Sequence, residues 1–340
     1  MRLAALCGWL LAVWAGLATA ADLYTGEVPV ADQSDGARKA ATVEALKQVL
    51  VKVSGDPAAK DRPELAGALA DPEPLVQAYY YRQDVDRSGP TPALKLYYAA
   101  NFEPRAITRL LSSSGLSQWA RERPALMVWV AADASGTLGL LSEAQLAPLL
   151  RHGSERGIEL RAAGTSEEER ASTLALVERQ SVEGLRAQAA RSGVPGVLAG
   201  RIYSTAEGLV GRFAYGDGER SEPFDVRGAD LGAILRAAAD ETANRLAARY
   251  AFAAADSEPV HVQTIVRGIR NAGDYAKVQS YLASLSVIKS ITLAAAAADT
   301  LTLDLNVAGG SERLTQIVGI NDVLTVAGNS NDGALVLEVR

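Results

Sequence analysis

His152 and His261 are the only imidazoles in the chain, and they stand far apart in the sequence. A zinc-type site needs histidine, thiolate or carboxylate ligands converging on one point, and a helical pair needs i, i+4 spacing as in HExxH. Neither pattern occurs. Local sequence places His152 in a loop, Arg151-His152-Gly153-Ser154, and His261 in a strand between Val260 and Val262. No metal ligand is assigned. The hydrolase pattern GxSxG is absent too, and Ser112-Ser113-Ser114-Gly115 reads as a helix end running into a turn of small residues. A phosphate-cradling GxxxxGK[ST] loop is missing, and Gly193-Val194-Pro195-Gly196 sets a proline where a backbone donor would be needed. No cofactor is expected.

Carboxylates are abundant, so their pairing carries little information. Asp84 with Asp86, or Asp299 with Asp304, fall in turn or strand positions. A glycosidase pair is defined by a separation in space of roughly 5 to 10 Å, which spacing in sequence cannot supply. Glu167, Glu168 and Glu169 open a helix, where negative charge complements the dipole. No catalytic residue is assigned. The one surface candidate is aromatic: two-residue alternation puts Tyr79, Tyr81 and Tyr97 on the more polar face of two adjoining strands. Exposed rings of this kind anchor partners, although the same rings also serve as ordinary cross-strand pairs.

The composition is that of a folded protein, 48% hydrophobic and 22% charged, with a formal charge of −6 in 340 residues. That charge argues against a general affinity for nucleic acid. Met1 and Arg2, an apolar run over residues 3–17, and Ala18-Thr19-Ala20 form the pattern of a secretory signal, with cleavage expected between Ala20 and Ala21. Asp22 and Glu27 follow where a membrane anchor would carry basic residues, so no membrane span is expected after cleavage. Cys7, the single cysteine, falls inside that segment, and Leu6 before it argues against lipid attachment. The exported chain then has no thiol for disulfides, metals or nucleophilic catalysis.

The remaining length asks for two or three cores. A strand over residues 23–30 leads through a Ser34 cap into a helix with Ala40, Val43, Leu46, Leu50 and Val53 as its stripe, stopped at Ser54-Gly55-Asp56-Pro57. Two tyrosine-rich strands and a helix complete a first α+β unit, residues 21–120. The charged Arg121-Glu122-Arg123-Pro124 opens a middle unit, residues 121–256. Its first strand is apolar without interruption, as when both faces are covered. Capping-box pairs Ser142/Gln145 and Ser166/Glu169 start helices, the second expected to run on through Leu185 and Ala189. A long helix over residues 230–250 closes the unit. In residues 257–340 the order βαββαβ is ferredoxin-like, with Leu301, Leu303, Leu305 and Val307 facing inward and Thr302, Asp304 and Asn306 outward. The fold class expected is α+β, three small helix-on-sheet units in a row.

Several stretches resemble a known family: Tyr24-Thr25-Gly26-Glu27-Val28-Pro29-Val30, Val51-Lys52-Val53-Ser54-Gly55-Asp56, Pro124 with Val128-Trp129-Val130, Arg156-Gly157-Ile158-Glu159-Leu160, and Val197-Leu198-Ala199-Gly200-Arg201-Ile202. They are similar to the exported bacterial proteins of domain-of-unknown-function family 2066, over nearly the whole exported part. That resemblance implies a periplasmic location and brings no activity. In architecture alone the three-part order is similar to periplasmic flagellar and outer-membrane assembly accessories, the middle part being like the amino-terminal domain of the Tol translocation protein. The expectation is a non-enzymatic periplasmic protein that binds another envelope component as an assembly or accessory factor. An envelope-polymer hydrolase using acidic residues and a periplasmic small-ligand binder remain the alternatives. Made in a host with a secretory pathway, the purified chain is expected to begin at Ala21 by N-terminal sequencing; an intact Met1 on exported material would contradict that expectation.

Overall fold

The computed structural model describes residues 23–86, 92–134, 136–194, 196–216, 221–252, 258–320 and 323–340. Ala20 and Ala21, Ser135 and Pro195 lie outside the described residues. The chain is α+β, built of helices laid on sheets.

The first part contains β1 (Thr25–Val30), α1 (Asp35–Ser54), α2 (Ala66–Ala70), β2 (Val76–Asp86), β3 (Ala93–Phe102) and α3 (Pro104–Ser113). Its strands form an antiparallel sheet in the order β1-β3-β2. Helix α1 starts where the Ser34 hydroxyl accepts the Ala37 N–H, and it stops at Gly55, whose φ of 75° suits glycine. The helix lies so close to β1 that a Cβ on Gly26 would sit 2.2 Å from the Ala45 carbonyl oxygen. The hydroxyls of Thr42 and Tyr98 meet at 2.9 Å inside this interface. The buried stripe of α1 is Ala41, Ala45, Leu46, Val49, Leu50 and Val53. Ala40, expected within it, is exposed, and Val43 is only half-buried. Alanines on both flanks of the stripe make the helix face ambiguous in sequence, and the approach at Gly26 settles the rotation.

Two short strands, β4 (Gln118–Trp119) and β11 (Ala251–Phe252), pair with each other across the whole middle part. Between them come β5 (Leu126–Ala134), β6 (Thr137–Leu140), α4 (Glu143–Glu155), β7 (Leu160–Ala162), α5 (Glu167–Glu178), α6 (Val182–Arg191), β8 (Gly196–Thr205), β9 (Gly208–Gly216), β10 (Glu222–Gly228) and α7 (Leu231–Tyr250). The sheet runs β10-β9-β8-β5-β6, with β7 also on β5, and β5 is parallel to both β7 and β8. Alternate residues of β5 enter two cores. Leu126, Val128 and Val130 pack with residues of α4 and α7, while Met127, Trp129 and Ala131 pack with residues of α5 and α6. This is the double covering that the unbroken apolar run implied.

Two expectations fail here for local reasons. The helix expected to continue from Ser166 past Leu185 is two helices, broken at Gln180 with φ of 54°, after which the Ser181 hydroxyl caps α6 by accepting the Gly184 N–H. His152 is helical rather than in a loop. Gly153 does not end α4, because its bare Cα admits Leu160, whose Cδ1 would be 2.7 Å from a Cβ; the chain turns instead at Gly157, φ 73°.

The last part holds β12 (Pro259–Arg267), α8 (Ala272–Ser284), β13 (Ile288–Ala297), β14 (Thr300–Ala308), α9 (Gly310–Val318), β15 (Leu324–Asn329) and β16 (Leu335–Val339). The βαββαβ order is followed by one further strand. In the sheet order β13-β14-β12-β16-β15, that last strand is inserted beside β12 and parallel to it. Leu301, Leu303, Leu305 and Val307 are buried as alternation requires.

Arg123 joins the parts. Its guanidinium donates to the carbonyls of Lys52 at 2.7 Å, Gly157 at 2.8 Å and Ala120 at 3.1 Å, and it lies 3.9 Å from the Trp119 ring centroid. Burial depresses its proton affinity, yet a guanidinium stays charged across the physiological range. A Cβ on Gly55 would be 2.6 Å from that of Ala247, so α1 and α7 also touch closely. The last part is tied by Glu122, which accepts from the Ser286 N–H and hydroxyl at 2.9 and 2.7 Å, and by Arg313, which donates to the Tyr250 carbonyl and lies over the Phe252 ring. Arg123→Met is expected to cost about 2 to 4 kcal/mol, because it strands partly buried carbonyls that each lose a charged donor. Chemical denaturation checks this, and a change under 0.5 kcal/mol, the ordinary surface effect, would remove the joint from the account.

Candidate functional site

The described residues enclose one large cleft, about 1000 Å³, and it lies between the first and middle parts. On one side are the end of β1 (Val28, Pro29, Val30) and the flank of α1 (Ala37, Ala40, Glu44, Lys47, Gln48). Facing them are His152, Glu155 and Arg156 at the end of α4, with Asp240 and Asn244 from α7. The alanines and valines of the lining all belong to the β1 and α1 side, and both sides carry charges of both signs. At one end of the cleft α1 approaches α7 closely, at Gly55 and Ala247.

His152 is clamped between two carboxylates. Its Nδ1 is 2.8 Å from Glu155 Oε2 and its Nε2 is 3.0 Å from Asp240 Oδ2. An imidazole satisfies two acceptors only by donating from both nitrogens, which requires the charged form. The hydrogen bonds to Asp240 and Glu155 accordingly raise its proton affinity to about 9, against the opposing effect of burial. Arg156, 5% exposed, completes the group by donating to Asp240 and, at 2.7 Å, to the Asn244 amide oxygen. Burial pulls Asp240 upward, but the hydrogen bonds from His152 and Arg156 outweigh it and hold the carboxyl below the usual range.

This arrangement fixes the protonation of both groups. At neutral pH His152 carries its proton and cannot act as a general base, and Asp240 has none to give as an acid. Among the described residues lining the cleft there is no serine, threonine, cysteine or tyrosine to supply a hydroxyl or thiol nucleophile. The walls also carry Lys47, paired with Glu44 at 2.7 Å, Lys60 and the apolar flank of α1.

The tyrosines named from sequence do not share one face. In the register of β2 and β3, Tyr81 stands opposite Tyr98 and Tyr97 opposite Arg82. Tyr79 and Tyr81 therefore join the buried Tyr98 on the helix side, with ring centroids 5.6 and 5.5 Å from it. Tyr97 lies on the other face under Arg82, 5.0 Å from the guanidinium. Alternation within each strand was sound, but only the pairing register, shifted by a bulge between Val76 and Ala78, relates one strand to the next. Tyr79 is half exposed beside Arg38; Tyr81 is largely covered. The other candidate residues fall elsewhere: Asp84 is paired with Arg82, Asp304 with His261, Glu169 with Arg191, and Ser112 accepts from Gln118. Among the described residues no three histidine, cysteine or acidic side chains form a metal-type group, and no helix is long and apolar enough to cross a membrane. Sequence reading passed over the cleft because its polar residues come from segments far apart in the chain, around α1, at the end of α4 and in α7. The one available signal was His152 and Arg156 at i, i+4, which share a helix face.

Residues 18–120 match a family described as a domain of unknown function, DUF8605. The match covers the first part, including the β1 and α1 wall of the cleft, and ends before the α4 and α7 wall. Its number differs from that of the family the sequence resembles, and its span is shorter than that resemblance. No curated protein and no solved structure matches the chain.

The clamp gives stability a definite pH dependence. His152 binds its proton more tightly folded, with a value of about 9, than unfolded, near 6.5, so its contribution is complete below pH 6.5 and is lost as pH rises through 9. Stability against unfolding is expected to fall over that window by about 1 to 2 kcal/mol, allowing for screening at the half-exposed Asp240. In His152→Gln the decline should vanish; an unchanged pH profile in the variant would rule out the clamp as its source.

Proposed function

We propose that the chain is a non-enzymatic binding protein, and that the cleft between its first and middle parts holds a segment of a partner protein of the cell envelope. The observation that carries this reading is the cleft itself: alanines and valines on the β1 and α1 side, charges of both signs on both sides, and an imidazole already neutralised by two carboxylates. A peptide segment offers the same mixture of apolar and charged side chains, and a cleft of this volume accommodates several residues. The signal-like residues 1–20 and the resemblance to the exported family 2066 support a periplasmic setting, and so the choice of an envelope partner in an assembly or accessory role.

The hydrolase alternative asks for two carboxylates facing each other across a cleft; Glu44 lies on the α1 side and Glu155 and Asp240 on the other, but Glu44 is paired with Lys47, and Glu155 and Asp240 with His152. Asp240 is instead spent on His152 and Arg156, which favours binding over catalysis. The small-ligand alternative called for an enclosed apolar pocket inside the middle part, whereas the large cavity is open and shared between two parts.

A photo-reactive residue at Ala40, which is exposed on the cleft wall, is expected to give one discrete protein adduct in envelope fractions. Lys47→Glu should reduce that adduct about tenfold or more by reversing a wall charge. Turnover of an envelope polymer by the purified protein, with no adduct, would overturn the proposal in favour of hydrolysis.

A further inference from the structure

Each sheet has two outer edges, and an unpaired edge strand is a template for another chain unless something blunts it. At β1 the blunting is explicit. The Gln48 side-chain amide accepts the Glu27 N–H and donates to the Glu27 carbonyl, both at 2.9 Å, so a single side chain imitates a neighbouring strand. One turn on, Lys52 donates to the Thr25 carbonyl at 2.8 Å, and Pro29 has no N–H to offer. In the middle part, β6 and β7 are four and three residues long and β10 carries Pro223. In the last part, β13 and β15 are both interrupted by register shifts.

The outer edge of β2 is blunted less: its register shift lies at its start, between Val76 and Ala78, and the Val85 N–H is taken by the Asp84 carboxylate at 2.8 Å. Residues 78–86 pair with β3 without a further shift and contain no proline, and among the described residues no other strand pairs with their outer side. Over residues 78–85 only Tyr81 is even half-buried. Tyr79, Tyr80 and Val85 are 49, 53 and 42% exposed, and Leu94, opposite Val85, is 72% exposed. Among the described residues this long edge is open and carries exposed apolar side chains.

We propose that β2 pairs antiparallel with β2 of a second copy of this chain, joining two three-stranded sheets into one of six strands. The charge order selects a second copy over an unrelated strand. With Gln83 on the two-fold axis, Arg82 of each chain stands opposite Asp84 of the other, and Tyr81 stands opposite Val85. Each Arg82 already touches its own Asp84 at 3.1 Å as well as its own Glu27, and the Arg82 and Asp84 charges of the two chains alternate in sign around the axis. Like charges never meet, and the patch is its own complement, as an isologous contact requires.

Sedimentation equilibrium on the full chain tests this. A monomer–dimer equilibrium in the micromolar range is expected. Arg82→Asp alone and Asp84→Arg alone should each weaken dimerisation about tenfold or more, since each brings like charges face to face. Mixed in equal amounts, the two variants should recover a heterodimer, a result that simple damage to folding does not produce. Gln83→Cys with Cys7→Ser should form a disulfide dimer on mild oxidation, because directly opposed Cα atoms in an antiparallel pair lie about 4.5 to 5.5 Å apart, whereas Glu207→Cys in the same background should not. A wild-type chain that stays monomeric, or a dimer indifferent to both charge reversals, overturns the proposal. A monomer that instead takes up an extended segment of another protein along β2 assigns the edge to that partner and overturns it equally.

Discussion

Everything that positions the cleft passes through the Arg123 guanidinium. One side chain hydrogen-bonds backbone carbonyls of the α1 end, the turn after α4, and the linker between first and middle parts. A fixed, charged, five-donor fork does what a flexible lysine could not, because three carbonyls at different angles are satisfied at once. Gly157 belongs to the same arrangement, for a Cβ there would lie 2.4 Å from Arg123 Nη1. The joint sets how far α1 stands from α4 and α7, and that distance is the width of the cleft.

Electrostatics inside the cleft follow from that placement. His152, Arg156 and Asp240 are near one another because α4 and α7 pack together, and once close they neutralise each other. The same residues that would suggest acid–base chemistry in a list are mutually satisfied in space. A charged imidazole and a depressed carboxyl fix the charge of this wall, which faces the apolar side of β1 and α1, and on that arrangement the proposal of a binding cleft rests.

Much of this fold was legible in the sequence, and the failures have physical reasons. The caps at Ser34 and Ser142, the doubly buried β5 and the alternation of β14 are local patterns, decided within a few residues. The break at Gln180 was not legible from Gly or Pro, since neither stands there; Ser181 with Gly184 three residues on was the only hint. The faces of Tyr79, Tyr81 and Tyr97 depended on strand register, and Ala40 on the rotation of α1, both tertiary quantities. The cleft was invisible for the same reason, because its walls are joined by an arginine read from sequence only as part of a charged linker. The blunting of β1 by Gln48 likewise requires knowing which helix face meets which strand edge.

The most direct test is a nitrogen-detected NMR titration of the His152 ring in the intact protein. The account predicts that both ring nitrogens stay protonated through neutrality, with a midpoint near 9. A midpoint at or below the ordinary value of about 6.5 would leave a neutral imidazole in the cleft, ready to accept a proton, and would contradict the claim that this site recognises rather than reacts.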